Sequence, residues 1–487
     1  MQFNTLVYLA FLAVAVVGLR HVPERARKGW LVLASLVFYA SWHVEYVALL
    51  LAVGVVAGYG GAYVLAAEGR ARRLRGYAVI TVLVGILSAF KYADWGAANV
   101  GAVARHFGST WAPRGLGWIL PLGVSFYTFE GISYIAECIR GKEKRHSFLD
   151  FQLYIAFFPH LVAGPILRAK ELIPQFNSPK WRTSSSETAD GIWLLASGFF
   201  LKNVLADWLA PRVDRAFAHT TSALGAADVL VMAVGFALQI YFDFSSYSRM
   251  AIGSAKLCGI QLVDNFRFPF RARTPADFWN RWHISLSRWV RDYLFFPLSG
   301  RRLTVAGACR ASIITMTLCG LWHGAGWTYV VWGFYHGMLL AAYYVGRAWV
   351  RPAPGPELPP PHWFDSPAGI AVSSALTWVF LLPSWILFRV PTLRGAWDLL
   401  SVMLTPARHP GRTLDPAFYL QVTTLMCGVW AAPFVVDRVK KRLTELRGQS
   451  SSQPLVFAMG VFTGILMFAA LAFRRLNVNR AFIYFQF

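Results

Sequence analysis

Two histidines, His323 and His336, stand in the apolar, aromatic stretch Gly320–Gly337, which reads GLWHGAGWTYVVWGFYHG. A neutral imidazole in hydrocarbon costs free energy unless it is hydrogen-bonded, so each ring needs a partner. With an ordinary pKa of about 6.5, an imidazole can take a proton from a hydroxyl near neutral pH, which makes His323 a general-base candidate. The alternative for either ring is a satisfied residue of a helix core, and for His336 the two readings balance. Trp322 precedes His323, and Gly320, Gly324 and Gly326 flank it. Glycines there permit a broken helix and close approach of a substrate or a second backbone. On one unbroken helix the two rings would lie roughly 20 Å apart and point to different faces. They can share a pocket only if the glycines bend the chain.

A third histidine, His283, sits in the segment Pro275–Tyr293. Trp279, Trp282, Leu286, Trp289 and Tyr293 recur at helical spacing, and Asn280, His283, Ser287 and Arg291 form a second, polar line, so one helix is expected. Its aromatic and Arg-rich faces fit an interfacial anchor. They fit equally a helix whose polar line faces a cavity, with His283 as a second active-site histidine and Asn280 beside it. Asp243, in Tyr241–Tyr247 with Gln239 one turn earlier, is an intramembrane carboxylate and needs a cationic or hydrogen-bonding partner. It either orients a catalytic imidazole or pairs with an arginine of the 266–292 region. Glu130 and Glu137 pose the same question. Two prolines, Gly164 and Arg168 in Phe158–Arg168 should break a membrane helix.

The elements that must position these residues are membrane helices. The chain has 487 residues, of which 56% are hydrophobic and only 15% charged, too apolar for a soluble protein. Apolar runs near 5–19, 29–42, 45–67, 76–92, 116–137, 149–167, 187–208, 224–244, 303–321, 326–349, 368–390, 416–437 and 454–473 predict an all-α polytopic integral membrane protein. About 11 of them span the bilayer, with re-entrant and interfacial pieces beside them. The run at 5–19 lacks a basic n-region and a small-residue cleavage site, which predicts a retained helix. A single membrane-embedded domain over 1–487 is expected, with core motifs at 120–337 and a Pro-rich linker at 351–367.

The formal charge of +23 falls in short runs between apolar segments, with no nucleic-acid motif, so positive-inside topology accounts for most of it. Basic clusters at 20–28, 70–75 and 140–145 mark alternate loops as cytoplasmic and put the amino terminus outside. Counting back from 438–447 places 266–302 and the linker inside as well. Cys138, Cys258, Cys309, Cys319 and Cys427 show no CxxC or Cys/His ligand spacing, so neither a metal site nor a disulfide framework is expected.

Taken in order, SLVFYA from Ser35, LPLGVSFYTF from Leu120, Phe158–Arg168, FDFS from Phe242, NFRFP from Asn265, Phe278–Ser287, the Trp-His-Gly stretch and the terminal FIYFQF resemble the membrane-bound O-acyltransferase family. The resemblance is to its bacterial branch that O-acetylates exopolysaccharides such as alginate and cellulose. It implies a multi-helix fold with a funnel, His323 as the catalytic histidine, His283 at a second position where relatives carry His or Asn, and His336 at a further branch histidine. It also implies acetyl transfer from a cytoplasmic thioester, acetyl-coenzyme A or another acyl thioester, with no permanently bound cofactor. Transfer would end on a polysaccharide outside the bacterial inner membrane, through a separate periplasmic acetyltransferase partner. Arg271, Arg273 and Arg281 can attract the donor phosphates, although surface arginines beside anionic lipid would look the same. The chain departs from the alginate-type pattern at Ser246 (usually Gly), Arg249 (often Asp) and His160 (often Gln), which leaves the polymer open. Two rivals share the histidines. One is a relative that D-alanylates teichoic acids or acylates lipid or protein. The other is a transporter with a histidine proton relay.

Overall fold

The computed structural model describes residues 1–177, 183–300, 304–350, 366–407, 409, 411–447, 453–476 and 482–483, and every regular element among them is helical. The linker 351–367, but for its last two residues, lies outside the described residues. Seven helices are long and apolar enough to cross a bilayer: Tyr46–Leu65, Gly69–His106, Ser185–Phe217, Ala226–Leu257, Val305–His323, Pro367–Arg389 and Pro416–Val436. Leu6–His21 and Phe462–Ala472 are shorter apolar helices. The chain is a multi-pass, all-α membrane protein, as its composition predicts. Of the runs behind the expectation of about 11 spans, 29–42 and 149–167 end in helices too short to cross, whereas 326–349 and 454–473 form the 24-residue helices Trp327–Val350 and Gln453–Leu476.

Residues Met1–Gly198 with Tyr247–Asp264 form one compact unit, and Phe199–Ser246 with Asn265–Ile483 a second. The first holds α1 (Leu6–His21), α2 (Arg27–Ala40), α3 (Tyr46–Leu65), α4 (Gly69–His106), α5 (Val124–Ile139), α6 (Phe148–Ala156), α7 (Ala169–Phe176) and most of α8 (Ser185–Phe200). The basic clusters lie at the α1/α2, α3/α4 and α5/α6 connections, alternate ones as the charge rule requires.

The run expected at 149–167 is helical only to Ala156. Beyond it Phe157–Leu167 is irregular yet buried, so its polar groups must be met by protein. The Ser35 hydroxyl accepts the Phe158 N–H at 3.1 Å, and the Tyr154 hydroxyl donates to the Leu167 carbonyl at 2.9 Å. The His160 ring is held on both nitrogens. Nδ1 is 3.0 Å from a Glu130 carboxylate oxygen, and Nε2 meets the Tyr154 carbonyl at 3.1 Å. Glu130 therefore has its partner, and Glu137 pairs with Arg140 at 2.8 Å.

The second unit holds α9 (Asp207–Phe217), α10 (Ala226–Leu257) up to Ser246, α11 (Pro275–Arg281), α12 (Ile284–Val290), α13 (Phe296–Ser299), α14 (Val305–His323), α15 (Trp327–Val350), α16 (Pro367–Arg389), α17 (Leu393–Leu404), α18 (Pro416–Arg447) and α19 (Gln453–Leu476). A π-helical turn, Leu201–Ala206, joins α8 to α9, and another, Arg291–Phe295, joins α12 to α13.

The single helix expected over 275–293 is therefore two short helices and a π turn. Thr274 starts α11 by accepting the Asp277 N–H, with Pro275 at the first helical position, where its missing N–H costs nothing. Trp282 is then extended and His283 left-handed, with φ 42°. A bracket from residues 265–267 holds this break: Ile284 N–H donates to the Asn265 carbonyl, the Ser285 hydroxyl to Asn265 Oδ1 at 2.7 Å, and Arg267 N–H to the Arg281 carbonyl. Tertiary hydrogen bonds have overridden a helical periodicity.

Candidate active site

The glycines around His323 act at two levels. Gly324 caps α14 with extended backbone, and Gly324–Gly326 turn the chain so that α15 packs back along α14. Within that hairpin a Cβ on Gly333 would run into the Met316 carbonyl, so the two backbones approach as only small residues allow. The chain does bend, and both histidines reach one ring. Trp332 lies 5.0 Å from His323 and 4.6 Å from His336, centroid to centroid. His323 also meets Trp322 at 4.8 Å and Phe388 of α16 at 5.2 Å. His336 meets Trp279 of α11 at 5.1 Å.

His283 joins from another side. Its ring touches Phe244 at 4.7 Å and Trp322 at 6.3 Å. All three imidazoles are buried, and two tryptophans, Trp322 and Trp332, link them. His283 lies outside the spanning helices, and burial pushes it down to about 3, so its ring is neutral at working pH. A left-handed, non-glycine residue costs about 1–3 kcal/mol and tends to mark functional positions.

Trp279 also walls a cavity of about 550 Å³. Ser287, Ser312 and Thr315 give it a hydroxyl-bearing side, Cys319 lies one turn before His323, and Arg288, Arg291 and Arg347 add charge. His336 Nδ1, Trp279 Nε1, Trp332 Nε1, Ser312 Oγ and Thr315 Oγ1 have no hydrogen-bond partner among the described residues. Buried polar atoms seldom stay unpaired, and three of these, on Trp279, Ser312 and Thr315, belong to residues that line the cavity. No group of residues able to hold a metal ion occurs among the described residues.

The other expected residues distribute unevenly. Asn280 lines the cavity with Ser287 and Arg291, whereas His283, the fourth member of that line, does not, because the break turns it away. Arg271, Arg273 and Arg281 do not line it either. The Arg271 guanidinium lies over the Phe434 ring at 4.4 Å, Arg273 donates its N–H to Asp277, and Arg281 is paired with Asp277 at 2.7 Å. Arg288 and Arg347 went unnamed in the sequence reading. The signal for Arg347 was its spacing, three helical turns beyond His336 on one helix.

Asp243 needs a correction. Its partner is not an arginine of 266–292 but Lys202, 2.5 Å away, and its second oxygen accepts the Ile483 N–H at 2.6 Å. Both contacts are distant in sequence and carry no local pattern.

A family model described as membrane-bound O-acyltransferase matches residues 105–359. A probable alginate O-acetylase of Pseudomonas aeruginosa is 38% identical over 83% of this chain and 75% of its own length. A peptidoglycan O-acetyltransferase of Helicobacter pylori is 32% identical over 82% of this chain and 79% of its own. A teichoic acid D-alanyltransferase of Bacillus subtilis is 31% identical over 47% of this chain and 60% of its own. These relatives are acyl-transferring enzymes, which removes the transporter reading. The chain is an O-acyltransferase and belongs to the membrane-bound O-acyltransferase family.

Proposed function

We propose that this enzyme moves an acetyl group from acetyl-coenzyme A in the cytoplasm across the bacterial inner membrane, for O-acetylation of an extracellular, alginate- or cellulose-like polysaccharide. The observation that carries the reading is the clustering of His323, His336 and His283 around Trp322 and Trp332, joined through Trp279, which touches His336 and Trp332, to a cavity that bears three arginines and that the histidines themselves do not line. His323 takes the proton of an acceptor hydroxyl as its oxygen attacks the thioester carbonyl. The carbon–sulfur bond breaks, and the thiolate leaves with the proton returned by the imidazolium. Arg288, Arg291 and Arg347, rather than Arg271, Arg273 and Arg281, are the residues we assign to the donor phosphates. Ser287, Ser312 and Thr315 can satisfy the amides of a pantetheine arm that would otherwise lose their hydration. Residues 1–487 are a single membrane-embedded domain in this reading.

The likeness to a D-alanyltransferase supports a second reading, in which an aminoacyl thioester on a carrier protein is the donor. Purified protein incubated with labelled acetyl-coenzyme A, with and without the products of neighbouring genes, decides between them. Label should pass to a hydroxyl acceptor from free acetyl-coenzyme A. Transfer only from a carrier-bound aminoacyl thioester would overturn the acetyl reading.

A further inference from the structure

Lys202 lies in the π turn between α8 and α9 and is 1% exposed. Its Nζ is 2.5 Å from Asp243 Oδ1 and 3.0 Å from Asp207 Oδ1. Two residues far along the chain close this cluster. The Ile483 N–H donates to Asp243 Oδ2 at 2.6 Å, and Lys202 Nζ stands over the Phe482 ring at 4.6 Å. Phe482 and Ile483 are themselves buried. A buried ion pair by itself is weak support for stability, because desolvation offsets much of the attraction. Here the pair has a second consequence. Asp243 shares a helical turn with Tyr241 and Phe244, and those rings lie against Trp282 at 6.2 Å and His283 at 4.7 Å. The turn of α10 that carries the carboxylate thus backs the residue whose left-handed backbone must be held in place.

We propose that Phe482 and Ile483, docked on Lys202 and Asp243, form a latch that sets the position of His283 through Phe244. Lys202, Asp243 and Ile483 are then positioning residues. Their role rests on the reading of the histidine cluster as the reaction site. Docking fixes the rotation of the Asp243 turn, and release lets Phe244 and the His283 break relax together. Misplacing a reacting group by about 1 Å can cost roughly a hundredfold in rate.

The test uses the full-length protein in nanodiscs, with acetyl-coenzyme A as donor and the products of neighbouring genes supplied as acceptors. Ile483→Pro deletes the N–H donor, and Ile483→Ala retains it. We expect Ile483→Pro to lose roughly tenfold or more in kcat relative to Ile483→Ala, with KM within about twofold. The double variant K202M/D243L removes the Lys202–Asp243 pair and the acceptor, and leaves the third charged member, Asp207, to take up a proton in its buried site. In this variant the residue 483 amide should exchange hydrogen roughly a hundredfold faster than in the parent, with the same loss of kcat. Equal kcat in Ile483→Pro and Ile483→Ala would remove any part of the latch in catalysis. An amide that stays as protected in K202M/D243L as in the parent would show that there is no latch. A parent protein without acetyl transfer would sink the acetyl-transfer reading instead, and the exchange rates would still decide the latch.

Discussion

Replacing His323 with alanine takes away a ring at the last position of α14 that touches Trp322, Trp332 and Phe388, and leaves the hairpin glycines in place. We expect acetyl transfer to fall by roughly a thousandfold, the ordinary weight of a general base. Protein level in the membrane should stay unchanged, and a fall in activity that merely tracks a fall in protein would make His323 structural. His283 separates hydrogen bonding from shape. His283→Asn keeps an amide that can bond and tolerates the left-handed backbone, so part of the activity should survive. His283→Leu loses both and should lose most activity, whereas near-normal turnover in both variants would leave the break without a chemical role. All three histidines were legible in sequence because polar rings in apolar runs stand out. Trp322 was legible beside His323 as a supporting residue, but that Trp322 and Trp332 together link the three rings could not be read there, since it depends on how three separate elements cross.

At the scale of elements, α14 and α15 are held together by contacts that no larger residue permits. A side chain at Gly333 would meet the Met316 carbonyl, while Gly346 on the same helix has nothing near it. Gly333→Val should therefore cost about 1–3 kcal/mol through overpacking and part His323 from His336, lowering both melting temperature and activity. Gly346→Ala should be neutral or slightly stabilising. Equal melting temperatures for the two variants would show that the hairpin does not depend on the close approach. The bend itself was legible in Gly320, Gly324 and Gly326. The break at His283 was not. Periodicity over 275–293 predicted one helix, and the hydrogen bonds that end it come from Asn265 and Arg267 across a loop. The same limit hid Lys202 as the partner of Asp243. A pairing set by tertiary contact leaves no local spacing to find, whereas the irregular stretch after Ala156 followed from two prolines and a glycine in the sequence.

At the scale of the whole molecule, the question that the proposed acetyl transfer raises is what receives the group. A hydrated polysaccharide entering a cavity whose polar lining is limited to groups such as Asn280, Ser287, Ser312, Thr315 and the three arginines would leave part of its many hydroxyls unpaired, at a cost of about 1–3 kcal/mol for each. Work on the polymer outside would need a nucleophile there. Under the charge rule the α2/α3 connection faces outward and does carry Ser41, His43 and Glu45, with His43 2.9 Å from Glu45. The Ser41 hydroxyl, however, donates to the Phe38 carbonyl at 2.6 Å and accepts the Met1 amine, so it is committed away from the imidazole. The α4/α5 connection, 107–123, holds Ser109 but neither histidine nor a carboxylate. Neither of these two connections offers a nucleophile paired with a base, and with the size of the polymer in view we expect a separate extracytoplasmic protein to take the acetyl group and complete its transfer. Vesicles carrying the purified chain, with acetyl-coenzyme A on the side of the basic loops and polymer on the other, should acetylate the polymer only when that second protein is added. Efficient polymer acetylation by the chain alone would mean that the polysaccharide itself reaches the histidine cluster.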